Sequence, residues 1–291
     1  MRLQAEKLAT IAPDLKIRAN KLANTVWEGI HSRNKAGIGD NFWQFKKYEY
    51  GDPVHLIDWK KSAKSSSFFI QEQELSTVQN INIWRDSSSS MNYSSRKNLD
   101  KKIYIANLIT LVLSMIFIKQ SEKVKINGSN INYSNSEEAI NLISDQLSNI
   151  KTNNNNFEPN IEEIDNGSNC ILIGDFLYST ENTEKIIKNL SSRNINGMLI
   201  HIIDPAEQKF PFKGRVNFKG VEGENPHLIG NAESVQKEYL KKFKKHSDTI
   251  KIITESYKWN YFMHITDQEL VELIIKIYTS FINSNTKDIE I

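Results

Sequence analysis

The stretch of this chain best equipped for chemistry is Asp86-Ser87-Ser88-Ser89-Ser90. A carboxylate followed by hydroxyls two and four residues later supplies hard oxygen donors, and every second side chain of a tight loop can face one side. Magnesium or manganese suits such donors and keeps waters in its remaining positions. Two more acids close apolar runs: Asp175 after Asn169 to Ile173, and Asp204 after Met198 to Ile203. Asp175 can converge with Asp86 on one cation. Asp204 stands before Pro205 and reads as a turn former or helix cap. The competing reading is structural: serine-rich turns often follow strands, and Asp86 can cap a helix or loop amides.

The same cation could activate water for hydrolysis, but that needs a base within hydrogen-bond reach. Asp52, His55 and Asp58 lie elsewhere in the sequence, and His201 sits inside an apolar strand as a core residue. Ser88 has neither a glycine-flanked elbow nor a histidine base. No glycine-rich loop with a lysine cradles phosphates. The residues therefore give catalysis little to work with: a metal-assisted hydrolase is a distant alternative, behind a non-enzymatic interaction module and a metal-free scaffold.

The elements that would position these residues alternate. A strand over Val78 to Arg85 empties into the Asp86 loop, and a charge-free apolar helix runs from Ile103 to Ile118. Two short strands, Lys123 to Asn127 and Asn130 to Tyr133, turn at Asn127-Gly128. Helices follow at 136–150, 180–194, 231–256 and 268–282, with buried strands at 169–173, 198–203 and 262–265 and a small hairpin within 210–230. This alternation predicts an α/β fold: a mostly parallel, Rossmann-like sheet with helices on both faces. Ligands of such sheets sit at the carboxyl ends of the strands, where Asp86 and Asp175 fall.

Upstream, Leu15, Ala19, Leu22, Val26 and Ile30 form one face of an N-terminal helix. The irregular segment 31–58 that follows is rich in glycine and aromatics. Phe68 to Leu75 alternates and predicts an edge strand hairpinned to Val78–Arg85. The domain division expected is 1–77 (helix, irregular segment and edge strand, packed on the main domain), 78–285 (the sheet domain) and 286–291 (a polar tail).

Composition is that of an ordinary globular chain, 39% hydrophobic and 25% charged over 291 residues. A net charge of +2 gives no electrostatic basis for nucleic-acid binding. Cys170 is the lone cysteine, so no internal disulfide forms. The N-terminus lacks a secretory apolar core, and the Ile103 helix falls short of the ~20 residues of a membrane span. The expected location is the cytoplasm.

Residues 48–64, Tyr48-Glu49-Tyr50-Gly51-Asp52-Pro53-Val54-His55-Leu56-Ile57-Asp58-Trp59-Lys60-Lys61-Ser62-Ala63-Lys64, with Phe69 to Glu74, Asp86 to Met91, Gly174-Asp175-Phe176, Ile203 to Glu207 and Pro211 to Arg215, resemble the bacterial family known as domain of unknown function 58. That resemblance implies a von Willebrand factor A-like domain. It implies a metal-ion-dependent adhesion site in which Asp86, Ser88, Ser90 and Asp175 hold magnesium or manganese. Thr152 is the candidate for the family's threonine ligand, although Lys151 and Asn153 to Asn156 lack the usual Gly-Thr context. The resemblance also implies a protein partner, a MoxR-type AAA+ ATPase, in chaperone-like work. A membrane-associated complex stays open, with no span in the chain itself. In the signature, Ile57 and Trp59 are expected to dock the segment on the sheet, and Asp52 and Asp58 to bind amides or basic residues, beside Tyr48, Gly51, Pro53 and Ala63.

Overall fold

The computed structural model describes residues 2–33, 42–73, 78–149, 158–218 and 227–287. Two compact units emerge, residues 30–78 and the remainder. Residues 1–29 thus group with the sheet, where the sequence reading had joined them to the signature segment.

The larger unit is built on a five-stranded sheet in the order β4 (Lys123–Ile126), β3 (Asn80–Arg85), β5 (Asn169–Gly174), β6 (Asn196–Ile203) and β9 (Asn260–Ile265). Every neighbouring pair is parallel, with Ile83 opposite Ile126 and Ile171, and Ile173 opposite Ile200. Strands this apolar suit a sheet covered on both faces. The α/β, mostly parallel architecture expected from the alternation is the one observed.

Alternation along each strand sorts the two faces. Trp84, Cys170, Leu172 and Leu199 pack with Ile186, Ile187 and Leu190 of α5 (Thr180–Ser192) and Ile250 of α7 (Ala232–Ser256). The opposite face meets α3 (Lys102–Lys119), which touches β3, β5 and β6 and also α4 (Glu137–Asn149) and α8 (Leu270–Lys287). Helix α3 is long and apolar enough to pass for a membrane span, but 78% of it is buried inside the fold. Its threonine and serine hydroxyls are satisfied within the helix: Thr110 donates to the Ala106 carbonyl and Ser114 to that of Thr110, each at 2.8 Å. Helix α1 (Arg2–Arg33) buries Leu15, Ala19, Ala23 and Val26, and Arg18 pairs with Asp100.

Chain order explains where a site must form. From β3 the chain crosses through α3 to β4 on one side; from β5 it crosses through α5 to β6 on the other. The connections diverge between β3 and β5, leaving a crevice at their carboxyl ends. The expected second strand of the Asn127-Gly128 hairpin is absent: a single bridge, Val124 to Ser134, pairs there.

In the smaller unit, β1 (Phe42–Lys47) and β2 (Phe69–Gln73) form an antiparallel ribbon. The edge strand expected at Phe68–Leu75 therefore pairs with β1 instead of hairpinning to the strand that follows. Asp52 accepts from the Glu49 amide at 2.9 Å and from Lys46, and Asp58 caps the single-turn helix α2 (Trp59–Ser62) by accepting from the Lys61 amide at 2.9 Å. Ile57 is buried and bridges to Ile70. Trp59, expected to be buried, is 60% exposed. The ribbon's small apolar face is used by Ile57 and Ile70, so the indole leans edge-on against Phe68, 6.0 Å between centroids, and both rings face solvent.

The small hairpin expected within 210–230 is present as β7 (Val216–Phe218) paired with β8 (His227–Ile229).

Candidate functional site

Asp86 extends the β3–β5 ladder one step beyond the strand: its amide donates to the Ile173 carbonyl at 2.8 Å. Its side chain then turns into the crevice. Asp86 Oδ1 accepts from the Ser88 amide at 2.8 Å, and the Ser88 and Ser90 hydroxyls bond to each other at 2.9 Å. Asp86, Ser88, Ser90 and Asp175 are all buried. The fold thus gathers these four predicted residues at the switch point. Thr152 lies outside the described residues.

Three residues outside the expected metal-ligand set complete the site. Gly174 is the first: a Cβ there would stand 2.9 Å from the Asp86 Cβ, so the last residue of β5 has no room for a side chain. The second is Lys102, the first residue of α3. Its Nζ donates to Asp175 Oδ2 at 2.8 Å and to Glu207 Oε1 at 2.7 Å, with the lysine side chain only 1% exposed. Sequence reading began the helix at Ile103 and left Lys102 outside it, because Asp100-Lys101-Lys102 looks like a solvated flank. The third is Glu207 of α6 (Pro205–Lys209). Its Oε2 accepts from the Asp204 amide at 2.8 Å while Asp204 Oδ1 accepts from the Ala206 amide at 2.7 Å, a capping box. The Asp-Pro-x-Glu spacing carried that signal.

Asp204 does more than cap. Its Oδ2 accepts from the Ser95 amide at 2.9 Å, tying the loop after Asp86 to the end of β6. Lys102 is held by its own backbone as well, its amide donating to the Tyr93 carbonyl at 3.2 Å. Phe176 follows Asp175 in the left-handed region, φ 47°, an uncommon conformation for an aromatic residue. Its ring is buried against Trp84, Tyr178 and His201, and its carbonyl accepts from His246 Nε2 at 2.9 Å.

Electrostatics follow from burial. Desolvation, with the nearby Asp175 charge adding to it, raises Asp86 to about 7. Burial lowers Arg85 to about 10. Burial alone would lower the Lys102 ammonium, yet the Asp175 and Glu207 charges outweigh it and raise its pKa. Burial raises Glu207, against the pull of Lys102. His201 falls to about 4 through burial, and its Nδ1 shares a 2.8 Å hydrogen bond with the Tyr261 hydroxyl. That histidine is engaged as a core residue.

This geometry bears on magnesium or manganese. Asp86, Ser88 and Ser90 present oxygens of the right chemistry, but Asp175 Oδ2 is already paired with a fixed ammonium. Two unit charges ~4 Å apart repel by about 4 kcal/mol at an effective dielectric constant near 20, and a dication doubles that. With Lys102 in place, the set does not fit a divalent cation bound through Asp175. Among the described residues, no group of three or more His, Cys, Asp or Glu side chains is placed to hold a metal.

A parallel α/β sheet with a polar cluster at its switch point defines the class. The family described as "Protein of unknown function DUF58" matches residues 44–249, and the chain belongs to it. Among solved structures, the chain is similar to a conserved hypothetical protein, BatB, from Bacteroides thetaiotaomicron (13% identity, 70% of this chain and 99% of that one, TM-score 0.45). An aerotolerance-related membrane protein from Bacteroides fragilis matches at 15% identity, 62% and 98% coverage and a TM-score of 0.36. The VWA domain of SpRpn10 matches at 10% identity, 68% and 94% coverage and a TM-score of 0.36. Likenesses this distant carry no argument about what the chain does. No curated protein matches it.

Proposed function

We propose that this chain is a non-enzymatic, cytoplasmic protein-interaction module that serves a MoxR-type AAA+ ATPase as an adaptor in chaperone-like work. The observation that carries the interaction reading is the pair formed by Trp59 of the family signature and Phe68 just beyond it, 60% and 55% exposed, with Val54 and Leu56 of the same unit also exposed. Large apolar side chains grouped at a surface mark contact sites, and tryptophan is prominent among residues that dominate binding energy. The choice of an ATPase as partner rests on the family resemblance alone.

The supporting experiment mixes the purified chain with the MoxR-type ATPase of the same organism and follows complex formation by analytical ultracentrifugation. Complex formation that is lost in the Trp59→Ala, Phe68→Ala double variant supports the reading. Absence of any complex with nucleotide-loaded ATPase removes that partner. A second reading, a scaffold with a metal-free site, is favoured by the buried ion cluster of Lys102, Asp175 and Glu207. The hydrolase reading draws no support from His201, which is buried and bonded to Tyr261.

A further inference from the structure

We propose that Lys102 is the resident cation of this site, a tethered ammonium that takes the place of a divalent ion and makes the Asp86 loop metal-independent. The inference goes beyond the adaptor reading and does not depend on which partner binds.

Position is the first argument. Lysine at the first position of a helix works against the helix dipole, whose positive end lies there. Lys102 occupies that position on an 18-residue helix, so helix stability does not explain it. Its ammonium is instead spent on two carboxylates from two other elements, Asp175 after β5 and Glu207 in α6. A buried ammonium is tolerable only when paired and hydrogen-bonded, and both conditions are met.

The second argument is that several of the surrounding oxygens are already engaged. One Glu207 oxygen holds Lys102 and the other holds the Asp204 amide, so Glu207 cannot swing toward a new ligand without opening the capping box. Ser88 and Ser90 share one hydrogen bond, and Asp86 Oδ1 accepts from the Ser88 amide. The outcome is a clasp. It joins the start of α3, the end of β5 and the turn after β6, the task a cation would perform by coordination. The loop that a divalent ion would otherwise order is ordered by the chain itself.

The test titrates manganese chloride into the full chain. Free Mn2+ is read by electron paramagnetic resonance and melting temperature by thermal unfolding, on wild type, Asp86→Asn, Lys102→Met and the Lys102→Met, Asp86→Asn double variant. Wild type is expected to leave the free Mn2+ signal intact at millimolar metal and to melt within about 1 °C with manganese or chelator, as a chain without a site must. Lys102→Met is expected to melt lower, to recover with manganese, and to lose that recovery in the double variant. Saturable Mn2+ binding by wild type that Asp86→Asn abolishes would overturn the proposal. So would a folded Lys102→Met that manganese leaves unchanged. If Lys102→Met does not fold, the wild-type titration decides alone.

Discussion

Gly174 and Asp86 meet across the β3–β5 pair so closely that a Cβ at position 174 would lie 2.9 Å from the Asp86 Cβ and 3.2 Å from its Oδ2. The contact is with the stem of Asp86, not the tip of a flexible side chain, so relief requires a strand end to move. Gly174→Ala is expected to destabilise the chain by about 1–3 kcal/mol, the usual range for overpacking. Urea unfolding checks this; a loss below ~0.5 kcal/mol would contradict the contact.

Removing one partner of a buried ion cluster leaves the others uncompensated. Lys102→Met is expected to cost roughly 3–5 kcal/mol in metal-free buffer, because Asp175 and Glu207 then share a buried site with no cation. Chemical denaturation measures it. Replacing an exposed ion pair such as Glu238–Lys242 is expected to leave the denaturation midpoint nearly unchanged and serves as the control.

Two buried groups make opposite contributions to pH dependence. Asp86, raised to about 7, keeps its proton in the folded state above the pH at which an unfolded aspartate ionises, near 3.8. Between those values the folded state binds more protons, so this contribution weakens as pH rises. His201 is lowered to about 4 from 6.5, so between those values the unfolded state binds more protons and stability falls as pH drops. In wild type the two offset each other between pH ~4 and ~6.5. Asp86→Asn is expected to expose the histidine effect, losing up to about 3 kcal/mol on acidification through that window. His201→Gln is expected to reverse the slope. Melting curves across the window check both; parallel profiles for the two variants would contradict the assignment.

Trp59 and Phe68 pack only on each other's edges in their described contacts and face solvent. Their joint replacement by alanine is expected to change folding stability by less than about 1 kcal/mol. The same change is expected to weaken partner binding by about tenfold or more, the scale of an aromatic anchor. Calorimetry separates the effects, and a folded variant that binds unchanged would move the interface elsewhere.

Asp204→Ala removes the capping box of α6 and the tie to Ser95 together. It is expected to cost about 1–2 kcal/mol and to raise hydrogen exchange at the Ser95 amide.

How much of this was legible beforehand can be argued residue by residue. Runs such as Ile81-Asn82-Ile83-Trp84 and Cys170-Ile171-Leu172-Ile173 announced buried strands because local apolar content and β-branching are properties of the sequence itself. The four oxygen-bearing residues Asp86, Ser88, Ser90 and Asp175 were also visible, since each closes or follows such a run. The partner of Phe69–Gln73 was not. Two alternating segments can pair with either neighbour, and the choice of Phe42–Lys47 depends on non-local register. The burial expected of Trp59 failed for a related reason: residue type indicates that an indole can be buried, while the size of the face available to it is decided by how the ribbon folds.

By itself, the sequence determined the alternation of strands and helices, the parallel α/β class and the carboxylate and hydroxyls at the end of β3. Periodicity, turn residues and spacing act over a few residues and can be read directly. Tertiary structure alone decided that Lys102, 73 positions from Asp175 and 105 from Glu207, would stand between them. A charge beside an apolar helix is ordinarily left in water. Only the crevice between β3 and β5, with α6 capped beside it, offers that ammonium enough carboxylate to be buried.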